Sequence, residues 1–348
     1  GDVIIIMVKI DIISGFLGAG KTTLIKKLLQ DAFKGQQVVL IENEFGEIGI
    51  DGGFLKDAGI EIKEMNSGCI CCSLVGDFGT SLKEVVTKYD PDRILIEPSG
   101  VGKLSDVIKA VQGVQDEVDI KLNSYTTVVD AKKCKMYMKN FGEFFDNQIQ
   151  YAGAIIMSRT DIASEKKVQE SLELLRSLNK DAAIITTPIE NLDGKKLVEV
   201  MEHPVSLEQE MLEEEHEHHH HHDGECGCGH DHEEHEHHHH HDGECGCGHD
   251  HHHHHADEVF TSWGRETIKK YTREGLEKIL EALSESDKYG IILRAKGMLP
   301  AEDGTWIYFD MVPEETEIRE GAPEYTGRLC VIGSKLDEHA LEELFGIA

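Results

Sequence analysis

No run of apolar residues in this 348-residue sequence approaches the roughly 18 to 20 needed to span a bilayer. Val3 to Ile13 is too short and carries Lys9 and Asp11. A charged n-region and a small-residue cleavage site are missing from the N-terminus, so no signal peptide is expected and the chain is expected to be cytoplasmic, without membrane partners. Basic residues are scarce, with 35 Lys and Arg against 66 Asp and Glu and a formal net charge of -31. Sequence-independent nucleic-acid affinity comes from Lys and Arg neutralising phosphates, so nucleic acid is excluded as the main partner.

The scarcity is local. From Glu199 to Glu258 there is no Lys or Arg and there are 19 acids, and 20 of the 22 His lie between His216 and His255. Outside that stretch 35 basic residues face 47 acidic ones, an ordinary acidic balance. Glu214 to His232 reads EEHEHHHHHDGECGCGHDH, and Glu233 to His251 repeats those 19 residues identically. Neither copy holds an aliphatic or aromatic residue, so the segment is expected to bury no core and to be disordered without a ligand.

Three regions follow. Residues 7–205 alternate candidate strands (Met7–Ile13, Gln37–Asn43, Ile60–Met65, Arg93–Glu97, Thr126–Asp130, Ala154–Ser158, Ala183–Thr186) with helix-like stretches (Lys21–Phe33, Gly79–Lys88, Lys103–Val111, Ala131–Phe141, Glu165–Asn179). That alternation predicts an α/β fold with a mostly parallel sheet covered on both faces, and a ligand beyond the carboxyl ends of the strands. Residues 206–258 are the His, Cys and acid-rich linker. Residues 259–348 read as a small α+β domain, with helices at Thr272–Leu283 and Asp337–Phe345, strands at Gly290–Lys296, Trp306–Val312 and Arg328–Ile332, and both tryptophans, Trp263 and Trp306, in its core.

Gly15-Phe-Leu-Gly18-Ala19-Gly20-Lys21-Thr22 fits G-x-x-x-x-G-K-[ST] between an apolar strand and an amphipathic helix, the context that makes the pattern a P-loop NTPase site. The glycines let the backbone wrap a phosphate, and the helix start, through Thr23, adds its dipole. Lys21 should reach the β- and γ-phosphates, and the Thr22 hydroxyl should ligate Mg²⁺. Glu97 ends a strand, and Gly100 follows it at a spacing suited to a Mg²⁺-shell carboxylate and a γ-phosphate-sensing N–H. Ser158-Arg159-Thr160-Asp161 is a variant of N-K-x-D. The Asp161 carboxylate can accept two hydrogen bonds from guanine, while a plain helix N-cap is the alternative.

Cys69, Cys71 and Cys72 put three thiols in four residues, which favours a thiolate metal site or part of one, with Glu42 and Glu44 as candidate oxygen partners. Redox thiols or buried small residues are the alternatives. Each repeat also presents two thiols and two imidazoles at i, i+2, i+4 and i+6: Cys226, Cys228, His230 and His232, then Cys245, Cys247, His249 and His251. A short bend could gather each set around a tetrahedral ion, and the intervening glycines permit it. The single residues His203, His339, Cys134 and Cys330 read as structural or surface positions.

In that order, GFLGAGKT from Gly15, ENEFGEIG from Glu42, CICC from Cys69, EPSG from Glu97 and SRTD from Ser158 resemble the CobW-like metallochaperone GTPases. Arg294 to Phe345 resembles the family's C-terminal domain. The resemblance implies GTP hydrolysis with Lys21 and Glu97 as the catalytic pair, and nucleotide contacts from Gly15, Gly18, Ala19, Gly20, Lys21, Thr22, Thr23, Gly100, Ser158, Arg159 and Asp161. It also implies switch positions at Glu44 and Asp51, a metal on Cys69, Cys71 and Cys72, a client metalloprotein and a nucleotide-dependent dimer. Zinc is the first expectation for the metal, with cobalt or nickel as alternatives. Ser158 and Arg159 depart from the family's base loop, and Gly153 stands where an acid is frequent. The rival readings are a metal buffer with a residual nucleotide site, and a cobalt-handling NTPase of cobalamin or nitrile hydratase assembly.

Overall fold

The computed structural model describes residues 7–43, 61–65, 75–100, 102–203, 207, 209–211 and 260–348. Seven strands, β1 (Val8–Gly15), β2 (Val38–Asn43), β3 (Glu61–Met65), β4 (Arg93–Glu97), β5 (Ile120–Asp130), β6 (Ala154–Ser158) and β7 (Ala183–Ile185), form one sheet in the order β3-β2-β4-β1-β5-β6-β7. Every pairing in it is parallel. Side chains alternate across a strand, so neighbouring residues serve opposite faces. Ile10, Ile12, Val39, Ile41, Ile94 and Ile96 join one core cluster, whereas Ile13, Leu40 and Leu95 join the other. Helices α2 (Val75–Tyr89), α3 (Leu104–Val114), α4 (Cys134–Asn140), α5 (Gly142–Gln150) and α6 (Glu165–Leu178) cover the first face. Helices α1 (Lys21–Asp31) and α7 (Gly194–Glu202) cover the second.

The second sheet is antiparallel, in the order β11-β10-β9-β12-β8, from β8 (Thr261–Thr267), β9 (Ile291–Pro300), β10 (Trp306–Val312), β11 (Glu315–Gly321) and β12 (Gly327–Ser334). Helices α8 (Arg273–Glu285) and α9 (Glu338–Phe345) bury Leu280 and Phe345 against Trp263, Phe309 and Val331 on one face. On the other, Leu207 and Met211 pack with Met298, Cys330 and Ile332. Both tryptophans are buried, as are Cys134 and Cys330, while His203 and His339 are exposed.

The structure corrects several element boundaries. The helix expected over Ala131–Phe141 is shorter, Cys134–Asn140, because Phe141 leaves helical geometry at φ -131° and ψ 32°, and a further helix that was not expected, α5, begins at Gly142. Strand β5 starts six residues earlier than expected, at Ile120, in a stretch where only Ile120 and Ser124 are buried ahead of Thr126. Helix α7 and strands β8 and β11 were not expected. The two strands are sheet edges, TSWGRET and ETEIREG, too polar to show an apolar run.

Candidate functional site

Strand β1 runs into Gly15, where a Cβ would lie 2.6 Å from the Val128 carbonyl, so only glycine lets the chain pass this close to β5. Gly18 and Gly20 have φ of 71° and 110°, left-handed values that glycine adopts without steric cost. Gly20 is the N-cap of α1 and offers no side-chain cap, and no acid stands in the first turn. The first N–H groups of α1 therefore face an anion's position with the helix dipole behind them. Lys21 is 7% exposed and folds back over the loop, its Nζ donating to the Gly15 carbonyl at 2.6 Å. A buried ammonium resting on a carbonyl above a ring of N–H donors fits a phosphate. Thr22 is half-buried and Thr23 exposed on the same turn.

Two further segments meet this loop. Glu97 ends β4, which pairs with β1 through Ile96 and Ile12 and with β2 through Glu97 and Glu42, so its carboxylate stands at the sheet's carboxyl edge beside the loop. Thr22 and Glu97 supply only oxygen donors, the set that suits a hard cation such as Mg²⁺. A Cβ on Gly100 would lie 2.9 Å from Leu17 N, which seats Gly100 directly on the loop's backbone.

The base loop is tied to the same place. Ser158 Oγ donates to the Ala19 carbonyl at 2.5 Å, and Arg159 Nη1 donates to the Gly18 carbonyl at 3.1 Å. The same guanidinium pairs with Asp130, which is 2% exposed and ends β5. Asp161 is exposed, and Thr160 Oγ1 is buried with no partner among the described residues. An orphaned hydroxyl there is what a loop shaped for a polar ligand leaves behind.

Among the described residues, then, Gly15, Gly18, Ala19, Gly20, Lys21, Thr22, Thr23, Glu97, Gly100, Ser158, Arg159 and Asp161 lie at one edge of the parallel sheet. Glu44, Asp51, Cys69, Cys71, Cys72 and the eight repeat positions Cys226, Cys228, His230, His232, Cys245, Cys247, His249 and His251 lie outside the described residues. Among the described residues no group of three or more His, Cys, Asp or Glu is placed to hold a metal ion. Burial pushes the Cys134 thiol up to about 11, so it stays protonated and is a poor ligand at neutral pH. Two site-building residues escaped the sequence reading. Asp130 had a signal, an acid closing an apolar strand as Glu97 does; Gln148 of α5, which bonds the Gly100 carbonyl, had none.

Residues 9–186 match the family described as CobW/HypB/UreG, nucleotide-binding domain, and residues 260–347 match the Cobalamin synthesis protein cobW C-terminal domain. A zinc chaperone CobW from a Sinorhizobium species is 32% identical over 179 residues, 43% of this chain and 50% of that protein. Zinc chaperone YeiR of Escherichia coli is 30% identical over 191 residues, 55% of this chain and 58% of that protein. The zinc-regulated GTPase metalloprotein activator 1 of Schizosaccharomyces pombe is 25% identical over 333 residues, 89% of this chain and 76% of that protein. The chain thus spans about half the length of the first two relatives. Among the described residues no helix is long and apolar enough to cross a membrane.

Proposed function

Because the chain belongs to the CobW/HypB/UreG nucleotide-binding family, we propose that it is a GTP-hydrolysing metallochaperone that loads a transition metal, zinc before cobalt or nickel, into a client metalloprotein. The observation that carries the GTPase half is the convergence of the Lys21 loop, Glu97, Gly100 and the Ser158–Asp161 loop at one sheet edge. Relatives named as zinc chaperones support the choice of metal.

In this reading the α1 N–H groups and Lys21 cradle the β- and γ-phosphates and stabilise charge that develops on the oxygen bridging them. Thr22 and Glu97 would hold Mg²⁺, which supplies neutralising charge between those phosphates. Asp161 accepts from the two donors on guanine, a pair adenine does not offer, while the Arg159 stem covers the base. Slow intrinsic turnover is expected, as in P-loop switches without a supplied arginine. The metal is cargo: Cys69, Cys71 and Cys72 hold it, with Glu44 and Asp51 in the segment that answers to the γ-phosphate. The two repeats keep a local store of cations. Loss of the γ-phosphate changes the ligand geometry and releases the ion to a client docked on residues 259–348, and nucleotide-dependent dimerisation accompanies the cycle.

The test is phosphate release from GTP and from ATP, each with and without Zn²⁺, Co²⁺ or Ni²⁺. Metal-stimulated GTP turnover that is lost on replacing Cys69, Cys71 and Cys72 by Ser is expected. Turnover of neither nucleotide would instead favour the buffer reading, in which the repeats alone do the work.

A further inference from the structure

One helix grips the segment that leaves β4 and enters α3. Gln148 of α5, 1% exposed, donates through Nε2 to the carbonyls of Gly100 at 3.1 Å and Gly102 at 3.0 Å. Its neighbour Asn147 exchanges two bonds with Ser105, accepting from the Ser105 N–H at 3.2 Å and donating to Ser105 Oγ at 2.9 Å. That N–H is one of the orphan donors of α3, whose own N-cap, Lys103, provides no side-chain cap; Asn147 caps α3 from another helix. On the outer rim Glu143 pairs with Lys103 at 2.5 Å. Positions 143 and 147 share one helical face and Gln148 follows on the adjoining one, so a single element holds Gly100, Gly102, Lys103 and Ser105. The helix is itself fixed to β5, because Thr127 Oγ1 donates to the Gln148 carbonyl at 2.7 Å.

Gly100 is therefore caught between the P-loop backbone and the Gln148 amide. A segment ordered before its ligand arrives spares that ligand the ordering cost. The benefit goes only to a ligand that touches the segment, and Gly100 stands where a γ-phosphate would be met. We propose that Gln148 is a positioning residue for γ-phosphate recognition, with α5 as the arm that holds Gly100 ready for GTP and leaves GDP unaffected. This rests on reading the site as a GTPase site.

The experiment measures the affinity of the full chain for GDP and for a non-hydrolysable GTP analogue, each with Mg²⁺, in wild type and in Gln148→Met, which keeps volume and removes both donors. Affinity for the analogue should fall about tenfold while that for GDP stays within about twofold. Equal losses for the two nucleotides would reduce Gln148 to a structural residue and overturn the proposal, as would no loss at all. Glu143→Gln, at the exposed rim, should lower the same ratio about twofold without a change in melting temperature. It decides the matter by that ratio should Gln148→Met not fold. Wild-type protein that binds neither nucleotide would remove the GTPase reading and this proposal together, whereas a wild type that prefers the analogue beside an unchanged Gln148→Met removes only the proposal.

Discussion

Arg159 adopts a left-handed backbone conformation, φ 59°, which costs a residue with a Cβ about 1 to 2 kcal/mol. The cost is offset by what the conformation does: it turns the guanidinium back over the phosphate loop, where Nη1 meets the Gly18 carbonyl and buried Asp130. A guanidinium offers several donors in one plane, while an ammonium is a compact point charge, so Lys is no simple substitute. Arg159→Lys should weaken GTP binding about fivefold, near 1 kcal/mol. Asp130→Asn should do the same, and the double variant should be little worse than either, because both act through one pair. Titration calorimetry on the four proteins gives the coupling. Additive losses would mean that Asp130 does not act through Arg159.

At the scale of the element, α7 is held by its last residue. Glu202 accepts from Arg93 at 3.2 Å and Asn123 at 2.9 Å and lies 3.9 Å from Lys9, while Arg93, buried under the Phe33 ring, also pairs with buried Asp11 at 2.5 Å. Burial pushes the Glu202 carboxyl up, but the bonds from Asn123 and Arg93 and the Lys9 charge outweigh it and leave the group below the ordinary carboxylate range. A depressed folded value contributes stability above the unfolded value and loses it as pH falls through the folded one. Glu202→Gln should therefore cost about 2 kcal/mol at pH 7. The gap in melting temperature from wild type should narrow as pH falls below the ordinary glutamate range and close once it is below the depressed folded value. A gap that persists into acid would assign the loss to packing.

The elements that were legible in the sequence share a physical cause. Strands β2, β4 and β6 are covered on both faces and read as short apolar runs, β1 does so apart from Lys9 and Asp11, and the glycines of the P-loop announce a backbone that must approach a ligand. What was not legible depends on tertiary context. Strands β8 and β11 owe their form to ladder partners rather than to their own apolar content, and α5 is separated from α4 only by the geometry at Phe141. Gln148 and Asp130 acquire their roles from residues tens of positions away, a relation no local spacing encodes.

For the whole molecule, the joint between the two sheets lies next to the base loop. Strand β7 pairs with β6, whose end opens into the base loop, and β7 itself runs out at Ile185 into the joint. There the N–H groups of Thr186 and Thr187 both donate to the Tyr325 carbonyl, at 3.0 and 3.1 Å. Thr186 and Thr326 join their hydroxyls at 2.8 Å, and Thr187 Oγ1 donates to the Glu324 carbonyl. Lys196 of α7 pairs with Glu324, and Arg176 of α6 grips Glu266 of β8 with two nitrogens. The Tyr325 ring, 6% exposed, belongs to the α1–α7 core cluster rather than to that of its own sheet. A ring buried in the other unit's core makes the two unfold together. Tyr325→Ala leaves the backbone bonds possible but opens a cavity, which should cost about 3 kcal/mol. Calorimetry should then show the single transition of the wild type split in two, with the earlier one losing its response to added GTP. If the variant still melts in one step at a temperature set by GTP, the Tyr325 ring is not the coupling element, and the Arg176–Glu266 pair becomes the next to remove.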